Sequence, residues 1–241
     1  MIDWLLGKVS NDPEIEVAGR MLPVVLRRTA SARRMTMRLA PDGSEVRITL
    51  PRWGRSAEAL DFARLRSGWI AGQLAAVPAP AALADGSELA LCGQALTLRH
   101  DPAAPRRVTL REHDLVVGGP AEALPARVKR WLEGEARRLL SEDLAFYCTR
   151  AGQPPQRLML SAARRRWGSC ARDGTIRINW RLVMAPAEVR RSVVAHEVAH
   201  LVHFDHSPAF HAALDALFEG DLRAANRWLK RHGRALYAPL G

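Results

Sequence analysis

The chain has 241 residues, enough for one large domain or two modest ones with a hydrophobic core. Hydrophobic residues make up 48% of it, and no run approaches the ~20 apolar residues that a membrane span requires. The composition therefore excludes a membrane-spanning chain, and we expect a cytoplasmic protein with no membrane partner, although its net charge of +11 could attract acidic partners.

Alternating apolar residues predict a β-hairpin near the N-terminus. Met35, Met37 and Leu39 alternate with polar residues, residues 46–50 alternate in the same way, and Asp42-Gly43 between them favours a turn. Ser56 is then predicted to cap a helix. The apolar side of this helix is predicted to carry Phe62, Leu65, Trp69 and Ile70.

Further strands are predicted after a Pro- and Ala-rich linker at residues 78–84. Their apolar patterns cover residues 89–92, 96–98, 108–110 and 115–117. The sequence shows no internal repeats. We therefore predict a β-rich N-terminal domain with one helix over residues 1–120.

The second half begins with a predicted long helix from about Pro125 to Arg150. Residues 158–160 and the segment 166–170 follow, and a strand is predicted at 175–180 after an Asp173-Gly174 turn. A second domain is therefore predicted over residues 121–241, and the fold class of the whole chain is α+β.

A third predicted helix carries the motif H-E-x-x-H as His196, Glu197 and His200. Pro186 suits the helix start, and residues four apart on a helix share a face at roughly 6 Å along the axis. Two imidazoles so placed can bind one Zn²⁺ at about 2.0–2.1 Å each, while Glu197 can polarise a water on the metal. Because burying these polar groups in an apolar segment costs several kcal/mol, a metal explains them well.

A catalytic zinc usually takes a third protein ligand and keeps its fourth position for water. His203 would lie about 10 Å along the helix from His196, too far to share a metal. His206 is favoured, because Asp205 tolerates a turn and Ser207-Pro208 is typical of a new helix start. Glu219 is the best alternative. His211 and Asp215 are the other downstream candidates.

Residues 196–210, H-E-V-A-H-L-V-H-F-D-H-S-P-A-F, resemble the YgjP-like metallopeptidases, relatives of the SprT and WLM zincins. A second signature of that family is similar to Arg166-Trp167-Gly168-Ser169-Cys170, Gly174 with Ile176, and Asn179-Trp180-Arg181-Leu182. A looser likeness covers Ala32-Arg33-Arg34, Pro51 and Trp69-Ile70, so the resemblance spans about residues 25–232. Ser192 and His211 depart from the family pattern, which often has an aromatic residue and a tryptophan there.

The resemblance implies a zincin-like catalytic domain over residues 121–241 and a zinc peptidase with one Zn²⁺ per chain. Its metal ligands would be His196, His200 and His206, and Glu197 would be the general base on the zinc-bound water. Arg166 or His211 is a candidate donor to the developing oxyanion. The substrate would be a peptide or protein.

An edge strand near the metal could pair with an extended substrate, and we expect residues 175–180 or 166–170 to do so. Trp167 and Trp180 are predicted to pack in the core rather than contact substrate. Asn179 is expected either to bond backbone near the site or to cap a turn. The sequence does not define the oligomeric state.

Two other functions stay open at this point. In a zinc-stabilised scaffold without activity, Cys170 or His211 would fill the fourth metal position. Cys92, Cys148 and Cys170 are too few and too widely spaced to indicate a disulfide framework or a cysteine zinc site. A buried structural thiol is the favoured role of Cys170.

The other alternative is a SprT-like protease that acts on DNA-bound proteins, with nucleic acid held by a basic surface. Residues 121–241 hold 20 basic and 12 acidic residues, against 16 and 13 in residues 1–120, and Arg164-Arg165-Arg166 is the densest cluster. Arginine accounts for 33 of the 36 basic residues, which also fits a basic protein with no nucleic-acid role. No interleaving of aromatic and basic residues and no known nucleic-acid motif supports binding.

Overall fold

The structure is a computed structural model that describes residues 13–40, 43–75, 83–164, 166–238 and 240. Chain contacts divide it into two compact units, Met1–Val77 and Pro78–Gly241. Within the described residues it is an α+β protein with three small sheets and six α-helices, so the predicted fold class is confirmed. None of the helices in these ranges is both long and apolar enough to span a membrane.

The first unit is a four-stranded sheet followed by two helices. Its elements are β1 (Glu14–Val17), β2 (Arg20–Thr29), β3 (Thr36–Leu39), β4 (Val46–Pro51), α1 (Ser56–Leu65) and α2 (Ser67–Ala75). The strand order is β1-β2-β4-β3, in which β2 and β4 are parallel and the other neighbours antiparallel. The predicted hairpin is confirmed by β3 and β4, where Met37 faces Ile48. Asp42 of its predicted turn lies outside the described residues.

The predicted helix after Ser56 is wrong in three details. Arg55 is the N-cap residue and makes no side-chain cap, so Ser56 is already helical. The chain leaves the helical conformation at Arg66 (φ −108°, ψ 19°), which separates α1 from α2. Leu65 and Trp69 are therefore exposed instead of facing the core.

The second unit begins with another four-stranded sheet. Its strands are β5 (Glu88–Leu91), β6 (Gln94–Asp101), β7 (Val108–Arg111) and β8 (Asp114–Gly118). All four predicted strands are thus confirmed, and residues 78–82 of the predicted linker lie outside the described residues. The strand order β5-β6-β8-β7, with parallel β6 and β8, repeats the arrangement of the first sheet. No repeat was visible in the sequence.

The remaining elements form the helical part of this unit. They are α3 (Leu124–Arg150), β9 (Leu158–Ser161), β10 (Gly168–Cys170), β11 (Ile176–Asn179), α4 (Ala187–Ala199), α5 (Pro208–Leu217) and α6 (Leu222–His232). The predicted long helix is confirmed as α3, which buries Val128, Leu132 and Leu140. In the third sheet β11 lies between antiparallel β10 and parallel β9.

Helix α4 lies at the centre of the second unit, in contact with α3, α5, α6, β10 and β11. Its buried side chains include Val189, Val194 and Val198, which join one hydrophobic cluster with residues from β5, β6, β8 and α3. This packing fixes α4, because a close-packed core allows little displacement of its members.

The hairpin of β5 and β6 is tied to the helical part through its turn. Cys92 and Gly93 both have positive φ (51° and 81°), as a two-residue type I′ turn requires. Their backbone N–H groups donate to the carbonyl oxygens of Val183 (2.7 Å) and Met184 (3.2 Å). The sheet of β5 to β8 is therefore joined to the segment that leads into α4.

The predicted division into domains 1–120 and 121–241 stays a prediction. The compact units place the strands between residues 88 and 118 with the C-terminal helices, and the first unit contains two helices.

Candidate metal centre

The H-E-x-x-H motif lies in the last turn of α4. Pro186 is the N-cap residue with extended ψ (144°), and His200 is the C-cap residue. The last turn is tightened by i to i+3 bonds, since Leu201 N donates to Val198 O (2.9 Å) and Val202 N to Ala199 O (3.1 Å). Helix α4 thus ends before Asp205, where a turn was expected, and the chain can fold back so that His206 approaches the motif.

Three histidines converge at this helix end. One ring nitrogen from each of His196, His200 and His206 lies within 4.8 Å of the others. Nε2 of His206 is 3.2 Å from Nε2 of His196. Two nitrogens bound to one tetrahedral zinc at about 2.0–2.1 Å would be about 3.3 Å apart. The donor set and its spacing therefore fit a zinc ion.

A backbone contact orients the second histidine of the motif. Nδ1 of His200 lies 3.0 Å from the carbonyl oxygen of His203, so the ring donates its Nδ1–H there and keeps the lone pair on Nε2. Metal-binding histidines commonly donate their second ring nitrogen in this way. His203 therefore contributes its backbone carbonyl to the site, while its ring is not part of the three-histidine cluster.

The ring of Phe210 packs against all three imidazoles. Its ring centroid is 5.0 Å from that of His196, 4.5 Å from that of His200 and 4.8 Å from that of His206, and its side chain is fully buried. The sequence predicted a new helix start at Ser207-Pro208 but did not indicate this supporting role of Phe210. No local signal indicates that role, although Phe210 lies in the first turn of α5, where its N–H donates to Oγ of the N-cap Ser207.

Electrostatics keep the first histidine neutral. Burial, together with the neighbouring His200, His206 and His211, lowers the pKa of His196 to about 4. A neutral imidazole has the free lone pair that metal binding needs, so His196 is ready to bind a cation near neutral pH.

Glu197 is buried beside β10. Burial raises the pKa of its carboxyl to about 7, while the backbone N–H of Cys170 and the charge of Arg166 act in the opposite direction. A methyl group added at Gly168 would lie 2.7 Å from Cγ and 2.8 Å from Cδ of Glu197. The missing side chain at Gly168 therefore makes the space that the carboxyl group occupies.

The alternative third ligand, Glu219, is engaged elsewhere. Its Oε2 accepts from the hydroxyl of Tyr147 (2.9 Å), and its other oxygen forms an ion pair with Arg191. Among the described residues, the cluster within metal-binding distance contains only the three histidines, so it includes neither Glu219 nor Asp215. The structure thus brings His206 to the motif and leaves Glu219 in a contact between α3, α4 and the end of α5.

Cys170 and His211 flank the cluster without joining it. The ring centroid of His211 is 6.4 Å from that of His206. Burial raises the pKa of the Cys170 thiol, with Glu197 and Asp173 acting in the same direction, and Sγ lies 3.5 Å from the carbonyl oxygen of Ala171. A neutral thiol in this contact fits a structural role.

The two segments expected to bind an extended substrate, residues 166–170 and 175–180, occupy different places in the third sheet. Strand β11 is paired on both sides, so of the two segments expected to pair with a substrate, 175–180 is excluded and 166–170 is left. Strands β10 and β9 are the two edge strands of this sheet, and of these β10 contacts α4 while β9 contacts α3. Main-chain groups near Glu197 are therefore offered by residues 168–170.

The tryptophans and Asn179 have structural contacts. Trp180 is buried, and Trp167 packs on Tyr237 with 5.7 Å between ring centroids. The side chain of Asn179 accepts from Arg181 N (3.1 Å) and donates to Ala163 O (2.9 Å). Both roles expected for Asn179, a cap and a backbone bond, are thus present, and the predicted packing role of the two tryptophans is confirmed.

The chain belongs to the YgjP-like metallopeptidase family, because the family model described as "YgjP-like, metallopeptidase domain" matches residues 33–232. This confirms the resemblance read from the motifs. A search of curated proteins gives no match. Among solved structures, the chain is similar to the metallopeptidase zymogen of Pyrococcus abyssi abylysin, with 20% identity and a TM-score of 0.35 over 42% of this chain and 99% of that one. A TM-score of this size does not establish a shared fold.

Proposed function

We propose that the protein is a zinc-dependent, zincin-like metallopeptidase that hydrolyses peptide bonds. His196, His200 and His206 would hold the metal and Glu197 would be the general base. The observation that carries the proposal is the convergence of three imidazoles, oriented by Phe210 and the His203 carbonyl, next to a buried glutamate.

The zinc ion, when bound, would polarise both the attacking water and the scissile carbonyl. Glu197 takes a proton from the attacking water at its carboxylate oxygen and then delivers that proton to the leaving amine. The side chain of Glu197 is buried against Gly168, and this burial keeps bulk water from competing for the carboxylate. Two side chains near the site could donate a hydrogen bond to the developing oxyanion: Arg166, whose charge acts on Glu197, and His211, which lies beside His206.

Substrate would bind as an extended strand along the free edge of β10. The bonds from Asn179 N to Trp167 O and from Ala171 N to Thr175 O close the β10–β11 ladder at its two ends. In the antiparallel alternation, Gly168 and Cys170 then direct their main-chain groups away from β11. Because Cys170 N–H is already bonded to Glu197, the main-chain N–H and carbonyl of Gly168, which have no partner among the described residues, are offered to a peptide.

The proposal is tested by measuring bound zinc and cleavage of a peptide library for the unaltered chain and for Glu197→Gln. We expect the variant to keep its zinc and to lose activity by about 10²–10⁴-fold, the usual contribution of a general base. Glu188→Gln is the matched control, because Glu188 is an exposed acidic residue in the first turn of the same helix. Retained hydrolysis in Glu197→Gln would refute the role of Glu197.

The same experiment separates the alternative functions if a DNA-bound protein is offered as a substrate beside the peptide library. A zinc-stabilised scaffold would bind zinc and cleave nothing even as the unaltered chain. A protease specialised for DNA-bound proteins would cleave such substrates but not the free peptides. Both stay predictions.

A further inference from the structure

A second surface, in the first compact unit, carries exposed arginines and one exposed tryptophan. Residues 27–40 and 46–57 together contain eight arginines and no Asp or Glu. Within them, Trp53 is 79% exposed, which is unusual for so large an apolar side chain. Such a side chain in a cationic surrounding indicates a binding surface, since tryptophan and arginine dominate recognition sites.

The sheet topology brings these residues to one edge. Strands β2 and β4 are parallel, with Thr29 facing Pro51, so both end at the same side of the sheet. Strand β3 starts there too, because Thr36 faces Thr49 in the antiparallel pair. Since β4 lies between β2 and β3, the connection 30–35 has to pass the point where the chain leaves β4.

The segment that leaves β4 is a tight turn that presents its side chains to solvent. Gly54 N donates to Pro51 O (3.0 Å), which places Arg52 and Trp53 at the tip of the turn. A methyl group at Gly54 would lie 3.0 Å from Leu50 Cδ1, so the small residue allows this close return of the chain. Arg28 then donates to Ser56 Oγ (2.7 Å), joining the end of β2 to the start of α1.

The guanidinium groups at this edge are available for anions. Five arginines lie there, and they are Arg28, Arg33, Arg34, Arg52 and Arg55. All five side chains are exposed, and within the described ranges none of them forms an ion pair with a carboxylate. Guanidinium groups bind phosphate oxygens through paired hydrogen bonds, and a tryptophan face stacks on an unpaired base.

We propose that this arginine–tryptophan surface, made of these five arginines and Trp53, binds single-stranded nucleic acid. The phosphates lie against the arginines of the two loops, and a base stacks on Trp53. A folded duplex offers no unpaired base to the ring. An anionic membrane would be expected to take several apolar side chains together, and Trp53 is the one large apolar side chain that the fully described loops 30–34 and 52–55 expose.

The binding experiment uses the full chain and a fluorescein-labelled oligothymidylate of about 20 nucleotides, with fluorescence anisotropy measured between about 50 and 200 mM salt. We expect binding that weakens with salt, each phosphate contact adding about 0.7 to the slope of log K against log salt concentration. Arg52→Ala combined with Arg55→Ala should lower that slope by about 1.4. Trp53→Ala should weaken binding at least about fivefold with little change in slope, and Trp53→Phe should restore part of it.

The matched control replaces two exposed arginines of the second unit, Arg111→Ala with Arg157→Ala, which removes the same charge. This control should bind the oligonucleotide like the unaltered chain. The proposal is overturned by absent binding at 50 mM salt, by an equal loss in the control, or by a duplex of the same length that binds as well as the single strand. It is also overturned if the chain binds vesicles of phosphatidylserine and phosphatidylcholine but no oligonucleotide. Circular dichroism of each variant verifies that it is folded, and none of these readouts depends on peptidase activity.

Discussion

The missing side chain at Gly168 gives the Glu197 carboxyl group its room beside β10. Gly168→Ala would push a methyl group against Cγ and Cδ of Glu197, at 2.7 and 2.8 Å, and displace the carboxylate from its position near the three histidines. We expect unchanged zinc content and a drop in peptide hydrolysis of about 10²-fold, since small misplacement of a catalytic group costs that much. Gly134→Ala on α3, where an added methyl group meets no atom within 4 Å, should leave both unchanged. Full activity of Gly168→Ala would contradict this account of Glu197.

His206 and Glu219 provide a direct test of the third ligand. His206→Ala should weaken zinc binding strongly, because two imidazoles from one helix leave the ion without its third protein ligand. Glu219→Ala should keep the zinc and instead lower thermal stability, because Tyr147 and Arg191 lose their shared partner. Zinc titration and thermal unfolding of the two variants separate these effects. If Glu219→Ala lost its zinc while His206→Ala kept it, the third ligand would be Glu219 and not His206.

The residues that sequence could identify are those whose chemistry is local. His196 and His200 are four apart on one helix, so their shared face follows from helix geometry alone. The approach of His206 was also predictable, because Ser207-Pro208 indicates where the next helix begins. The support by Phe210 and the space at Gly168 were not, since both depend on contacts between elements that no local pattern encodes.

At the scale of elements, a buried ion pair joins α4 to α3. Arg190 Nε donates to Asp143 Oδ2 (2.6 Å), and the two side chains are only 5% and 9% exposed. Arg190 also donates to Cys92 Sγ (3.2 Å), so one guanidinium connects both helices with the β5–β6 turn. This contact helps to hold the helix that carries the histidines.

Removing one partner of this pair should destabilise the protein severely. Arg190→Met leaves Asp143 buried without its counter-charge, and we expect a loss of about 3–5 kcal/mol in the free energy of unfolding. Arg138→Met on the exposed side of α3, which breaks ion pairs with Glu135 and Glu142, should cost less than about 1 kcal/mol. Urea unfolding of both variants measures the difference. Equal, small losses would show that the buried pair adds little.

Helix boundaries illustrate why element prediction fails where it does. The apolar pattern of α3 runs for seven turns, and its predicted start at Pro125 differs from the observed one by a single residue. The pattern after Ser56 was read as one helix, yet the chain breaks at Arg66. The positions of Leu65 and Trp69 fit the apolar face of an uninterrupted helix, so the periodicity gave no sign of the break.

At the scale of the whole molecule, two sheets share one strand order, although the sequence shows no repeat. Strand order is set by backbone pairing and by one inward-facing apolar row, which many different residues can supply. The sequence-based interpretation also found no aromatic residue among basic ones, yet Arg52-Trp53-Gly54-Arg55 has that pattern and becomes visible once β2, β3 and β4 are paired. Topology thus revealed a surface that composition, with its charge excess in the second half, did not indicate.

The hydrogen bonds from the N–H groups of Cys92 and Gly93 to the carbonyl oxygens of Val183 and Met184 limit where the chain can be truncated. A fragment that starts at residue 121 would leave those acceptors without donors and uncover the side of α3 against which β7 and β8 pack. We expect such a truncation to precipitate during purification, whereas one that begins at Leu83 should stay dispersed and take up zinc. Size-exclusion chromatography of both fragments would decide this, and a monodisperse, zinc-loaded shorter fragment would show that the peptidase needs no strand before α3.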